Sequence, residues 1–158
     1  MAYPDGFTYI SGDYDLRRFN NTSTATYKGR NPVMLSGART LIEQSVSTAP
    51  YTVGISMNDS ANSIYTTEML VLVPNQQTVF ATKVQTGVAA SALSAGFSYN
   101  LEKAGDYFRV DTDSQATPRV TIVPRGDGTT INSADSSVFV QFLANALYPY
   151  SSVQSSAL

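Results

Sequence analysis

Short segments of alternating apolar and polar residues, broken by turn formers roughly every ten residues, restrict this chain to sheets. In residues 51–57, Tyr51, Val53, Ile55 and Met57 are expected to point one way and Thr52, Gly54 and Ser56 the other. Residues 119–123 alternate as well. Residues 137–143 set Val138, Val140 and Phe142 on one face, and the opposite face, Phe139, Gln141 and Leu143, is also mostly apolar. Residues 69–73, MLVLV, form a continuous apolar run ending at Pro74, as in a strand buried on both faces. Ser36-Gly37, Asn58-Asp59-Ser60, Asn75-Gln76-Gln77 and Lys103-Ala104-Gly105-Asp106 punctuate these runs. Only the Ala-rich stretch 88–95, closed by Gly96, suits a helical turn. No βαβ rhythm and no internal repeat occurs. The reading is an all-β fold, a small barrel or sandwich of about eight short strands.

A chain of 158 residues fits one domain. Residues 1–30 read as an irregular arm, because Pro4, Gly6, Gly12, Asn20, Asn21 and Gly29 interrupt Tyr3, Phe7, Tyr9, Tyr14 and Phe19. Exposed loops rarely carry so many aromatics, so the arm packs either on another surface or over its own core. Residues 31–147 form the β domain, and residues 148–158 a C-terminal tail.

The polar inventory narrows function. The chain has no His, no Cys and no Trp, is 14% charged, and carries 19 Ser and 17 Thr. His is the usual proton-transfer group near neutral pH, and transition-metal sites need His or Cys. The acids lack the aromatic, substrate-gripping context of a glycosidase, and no Ser-x-x-Lys pair or Gly-rich phosphate loop occurs. No enzymatic activity, cofactor or metal is therefore expected. Asp111-Thr112-Asp113-Ser114 begins like a calcium loop, but the sixth and twelfth places hold Ala116 and Ile122. Arg125-Gly126-Asp127 spells an integrin-binding tripeptide and reads as an ordinary turn. A net charge of −2 gives no bulk attraction to nucleic acid. No apolar run approaches membrane-spanning length, and the first residues lack a secretory h-region, so synthesis in a cytoplasm is expected.

At Val53-Gly54-Ile55-Ser56-Met57-Asn58-Asp59-Ser60-Ala61 the chain resembles the V-G-I/V-A-L-N-D-A stretch of capsid cement, or head decoration, proteins of tailed bacteriophages. Here Ser56 and Met57 stand where Ala and Leu are usual. The order of an arm, short strands, an Ala/Gly-rich segment at 86–96 and closing strands near 110–123 fits as well. The resemblance implies an additive outer protein of the virion, made in the bacterial host cytoplasm and commonly trimeric, that clamps neighbouring major capsid subunits. The composition suits a phage tail fibre, baseplate domain or adhesin binding a receptor too.

Candidate contact residues come from the chain itself. Residues 1–40 carry Arg17, Arg18, Lys28, Arg30 and Arg39 against Asp5, Asp13 and Asp15, while the remainder is acidic. Aromatics with Arg dominate binding hot spots. Tyr3, Phe7, Tyr9, Arg17, Arg18, Phe19, Tyr27, Lys28 and Arg30 are thus the expected capsid-binding set. Residues 136–158 hold no charge, which points to Phe139, Phe142, Leu143, Leu147, Tyr148 and Tyr150 as an oligomer interface.

Overall fold

The structure, a computed structural model, describes residues 3–21, 27–36, 40–44, 51–60, 68–85, 95–112, 117–124 and 137–147. In chain order the strands are β1 Thr8–Ser11, β2 Tyr14–Asn20, β3 Pro32–Leu35, β4 Leu41–Glu43, β5 Gly54–Ser56, β6 Glu68–Pro74, β7 Val79–Lys83, β8 Ser98–Ala104, β9 Tyr107–Asp111, β10 Val120–Val123 and β11 Ser137–Phe142. A 3-10 turn, Ala144–Ala146, follows β11. The strands form two antiparallel sheets, of order β1-β7-β11-β10-β8-β9 and β2-β6-β5-β3-β4. The fold is all-β, in the manner of a sandwich. Isolated parallel bridges, Asn21 to Leu41 and Val84 to Val110, curl each sheet back toward itself.

The alternation in the sequence is what fills the core between the sheets. Val138, Val140 and Phe142 of β11, Val120 and Ile122 of β10, Tyr99 and Leu101 of β8, and Phe108 and Val110 of β9 all project inward. Ile55 and Leu72 of the five-stranded sheet meet them. The opposite face of that sheet carries a second cluster built on Phe19, Tyr27, Val33, Leu41, Val53, Met69, Val71 and Val73. Met69, Val71, Leu72 and Val73 of the MLVLV run are buried, on both faces of β6, and Leu70 is half-buried. The β8–β9 hairpin turns through Gly105 and Asp106, with Ala104 opposite Tyr107 and Gly105 at φ +64°. A residue with positive φ at the first turn position matches the twist of the flanking strands.

The principal correction concerns residues 1–30. The expected irregular arm is two strands, one in each sheet. β1 pairs with β7, and β2 pairs with β6 over seven residue pairs, from Tyr14–Pro74 to Asn20–Glu68. The described residues alone form eleven strands, where about eight were expected. Phe7 stacks on Phe142 with ring centroids 5.6 Å apart, and both meet Phe80 edge-on. Each of these rings is buried. Phe7, Phe19 and Tyr27 thus pack into the core of their own chain.

Residues 51–57 are the second correction. The regular strand is β5 alone, and Thr52, Gly54 and Ser56 are buried while Tyr51 and Met57 are exposed. Val53 and Ile55, expected on one face, enter different clusters. The Val53 N–H donates to the Val33 carbonyl at 2.8 Å, although Val33 is paired with Gly54. Two residues thus oppose one, and this β-bulge turns Val53 to the other side. The helical turn expected at 88–95 lies outside the described residues apart from Ala95.

Candidate interaction surface

The Asn58-Asp59 turn after β5 does structural work. Asp59 Oδ1 accepts from the Gly29 N–H at 2.8 Å, and the Ser60 N–H donates to the Tyr27 carbonyl at 2.9 Å. Ser56 Oγ donates to the Lys28 carbonyl at 3.0 Å. The segment 27–31 is thereby fastened across β5. Arg30, at φ +62°, then donates its N–H to the Ser56 carbonyl and accepts from the Phe7 N–H. Asn31, fully buried, spends both ends of its amide on the β8–β9 hairpin. Its Nδ2 donates to the Asp106 carbonyl at 2.7 Å, and its Oδ1 accepts from the Phe108 N–H at 3.1 Å. Ser56, Asp59 and Ser60 of the motif thus hold the segment 27–31, which in turn bonds Phe7 and the β8–β9 hairpin.

Tyr27 belongs to the same segment. Its ring is buried and its hydroxyl donates to Asn21 Oδ1 at 2.7 Å. Burial pushes the phenol well above its usual titration range. The folded chain therefore holds this proton more tightly than the unfolded chain does. That contribution is fully present below about pH 10 and is lost as pH rises above it, by about 1.4 kcal/mol per unit. Tyr27→Phe should cost about 1 kcal/mol at neutral pH through the lost hydrogen bond. Chemical denaturation of both proteins across the alkaline range checks this. The wild-type advantage should be constant below that point and shrink above it.

Most expected capsid-binding residues are not available to a partner. Phe7, Phe19 and Tyr27 are core residues. Tyr3 lies half-buried, edge-on to Phe139 at 5.9 Å. The Arg17 side chain is only 11% exposed, with Nη2 on Asp15 Oδ2 at 3.3 Å. Tyr9, Arg18, Lys28 and Arg30 remain accessible. Even these cations are locally engaged. Arg18 faces Glu68 at 3.9 Å, Lys28 faces Asp59 at 3.7 Å, and Arg30 donates from Nε to the Asp5 carbonyl and lies over the Tyr107 ring at 5.7 Å. Among the described cations of the first forty residues, Arg17, Arg18 and Lys28 thus each face a carboxylate.

The expected oligomer interface is corrected too. Phe142 is in the core between the sheets, and Phe139 is buried on the opposite face of β11 beneath Tyr3. Leu147 packs against the core, and Leu143 is half-buried. Tyr148 and Tyr150 lie outside the described residues. The described part of the uncharged stretch, residues 137–147, thus contributes Phe139, Phe142 and Leu147 to the subunit's own interior.

A different surface stands open. The inter-sheet core covers Ile55 and Leu72, but the same face of the five-stranded sheet continues past it. Residues paired across antiparallel strands share a face. Leu16 is paired with Leu72, Tyr14 with Pro74 and Arg18 with Leu70. Met57 donates its N–H to the Leu70 carbonyl at 3.0 Å and extends the row across β6. Leu16 is 50% exposed and Met57 42%, with Tyr14 and Tyr9 similarly open. Tyr9, from the edge of the other sheet, meets Tyr14 edge-on at 4.8 Å. Tyr9, Tyr14, Leu16, Leu70 and Met57 therefore make an apolar patch, rimmed by the Arg18–Glu68 and Lys28–Asp59 pairs. An apolar centre within a charged rim is the anatomy of a protein-binding surface.

The sequence carried a faint sign of this patch. Tyr14 and Leu16 alternate with Asp15 and Arg17, but Arg18 and Phe19 invert the polarity of the two faces, and the period is lost. Among the described residues, no three His, Cys, Asp or Glu side chains form a group able to hold a metal ion. No helix among them is long and apolar enough to cross a membrane. Comparison with protein-family models, curated proteins and solved structures finds no match.

Proposed function

We propose that the protein is a structural, non-enzymatic component of a tailed-phage virion that adheres to the outside of the capsid and stabilises it by bridging major capsid subunits. The observation that carries this reading is the uncovered face of the five-stranded sheet, where Tyr14, Leu16 and Met57 stand exposed beside half-buried Leu70. Burying such a face on a partner releases apolar surface at about 25 cal/mol per Å². The resemblance of residues 53–61 to capsid cement proteins supplies the choice of partner. Arg18 and Lys28, at the rim, would exchange their present carboxylates for acids on the shell. Single rim charges of this kind change association rate more than affinity.

The test is a titration of undecorated particles of the encoding phage with purified protein, read by co-sedimentation. Met57→Glu places a charge in the centre of the patch and should weaken occupancy at least about tenfold, as loss of a buried anchor does. Phe97→Glu, at another exposed apolar residue just before β8, should leave occupancy unchanged. Unimpaired binding by Met57→Glu, or no binding by the wild-type protein, would remove the proposal.

A further inference from the structure

The free edge of β2 carries a second piece of information, separate from its exposed face. The Leu70 carbonyl points to Met57, on the β5 side of β6. The main-chain groups of successive strand residues point to opposite sides, so those of Met69, Val71 and Val73 point to β2. They meet Phe19, Arg17 and Asp15. The N–H and C=O groups of Tyr14, Leu16 and Arg18 therefore point away from the sheet. Among the described residues, β2 meets no strand on that side except at its end, where the next residue, Asn21, bridges Leu41. Leu16 and Arg18 are well exposed there, the Arg18 side chain at 77%. A long edge with free main-chain groups is a template for another strand.

We propose that a second copy of this chain pairs antiparallel along β2, about a two-fold axis through Leu16. The register follows from charge. A two-fold axis normal to the sheet sets residues of the same face opposite one another, so it must pass through a residue and not between two. Centred on Asp15 it opposes two aspartates; centred on Arg17 or on Arg18 it opposes two arginines. Centred on Leu16 it sets Leu16 against Leu16, Asp15 against Arg17 of the second copy, and Tyr14 against Arg18 of the second copy. The first pair is apolar and the third places a guanidinium beside an aromatic face, while Asp15 and Arg17 of each copy keep their own 3.3 Å ion pair. Each of the pairs built on Tyr14, Leu16 and Arg18 can exchange two main-chain hydrogen bonds. The second copy is the occupant that this self-complementary order of exposed side chains, Tyr14, Leu16 and Arg18, selects.

The pairing concerns the free chain and needs no capsid. Its consequence does rest on the reading above. The axis is normal to the sheet, so both copies turn their Tyr14–Leu16–Met57 faces the same way. A dimer would present two docking faces side by side and could engage two neighbouring shell subunits, with the gain in avidity that bivalency brings.

The test uses the full chain without particles. Sedimentation equilibrium from micromolar to millimolar concentration should show a reversible monomer–dimer equilibrium. Leu16→Lys opposes like charges at the axis and should raise the dissociation constant at least about tenfold, with an unchanged circular dichroism spectrum. The chain has no cysteine, so single introduced cysteines report proximity. A short bismaleimide should link Leu16→Cys into dimers and leave Phe97→Cys monomeric. A wild-type protein that stays monomeric throughout would overturn the proposal, whether residues 148–158 or a strand of a different protein occupies the edge. Association unaltered by Leu16→Lys, or equal cross-linking of both cysteines, would overturn it as well. Failure of this pairing with capsid binding intact, or the reverse, separates the two proposals.

Discussion

Deletion of residues 2–19 is expected to yield a chain that does not fold. The deletion removes β1, nearly all of β2, and both Phe7 and Phe19. The five-stranded sheet loses its longest pairing, that of β2 with β6, and exposes the flank of β6. The six-stranded sheet loses the strand beside β7. The milder variant Phe7→Ala isolates the core term. Phe7 is 2% exposed and touches Phe80 and Phe142, so truncating it should cost about 3–5 kcal/mol. That is comparable with the whole stability of many domains. Urea denaturation followed by circular dichroism would show the loss. A truncated chain that unfolds cooperatively with native stability would mean that the first strands are dispensable after all.

Gly54→Ala should be nearly as damaging, though it adds one methyl group. An added Cβ would lie 2.2 Å from the Leu72 carbonyl oxygen and 2.7 Å from Val71 Cγ1. The obstacle is the backbone of β6, which cannot swing aside as a side chain can. β5 and β6 must separate, and their pairing at Ile55–Leu72 and Ser56–Val71 weakens with them. The expected cost is about 3 kcal/mol, at the upper end for overpacking. A melting temperature within a few degrees of wild type would show that the strands have more room than the structure gives them. The requirement is local: Gly105, with nothing within 4 Å of its added Cβ, is limited by its φ alone.

The sequence made the later strands legible because each has a clear period. β9 and β10 alternate one buried position with one partly open position, β8 does so from Ser98 to Glu102, and β11 is covered on both faces. The first strands were illegible for a physical reason. β1 and β2 sit at sheet edges, where a residue's burial depends on the neighbouring sheet as much as on its own strand. Phe7 and Phe19 are interior, yet Pro4, Gly6 and Gly12 around them give the segment the grammar of a loop. Gly6 and Gly12 do adopt positive φ, so the turn signal was sound and only the intervening strands were hidden. The fate of Val53 could not be read because a bulge changes the face without leaving a mark in the pattern. The candidate surface shares this difficulty. Leu16 and Met57 look like any other strand apolar residues, and only the extent of the opposing sheet shows that nothing covers them.

An electron cryo-microscopy reconstruction of particles bearing this protein tests the account most directly. Density outside the shell should fit the two sheets, with the face that carries Tyr14, Leu16, Leu70 and Met57 turned onto the major capsid protein and Lys28 at the rim of the contact. Density in which that face looks to solvent, or particles with no such density outside the shell, would contradict it.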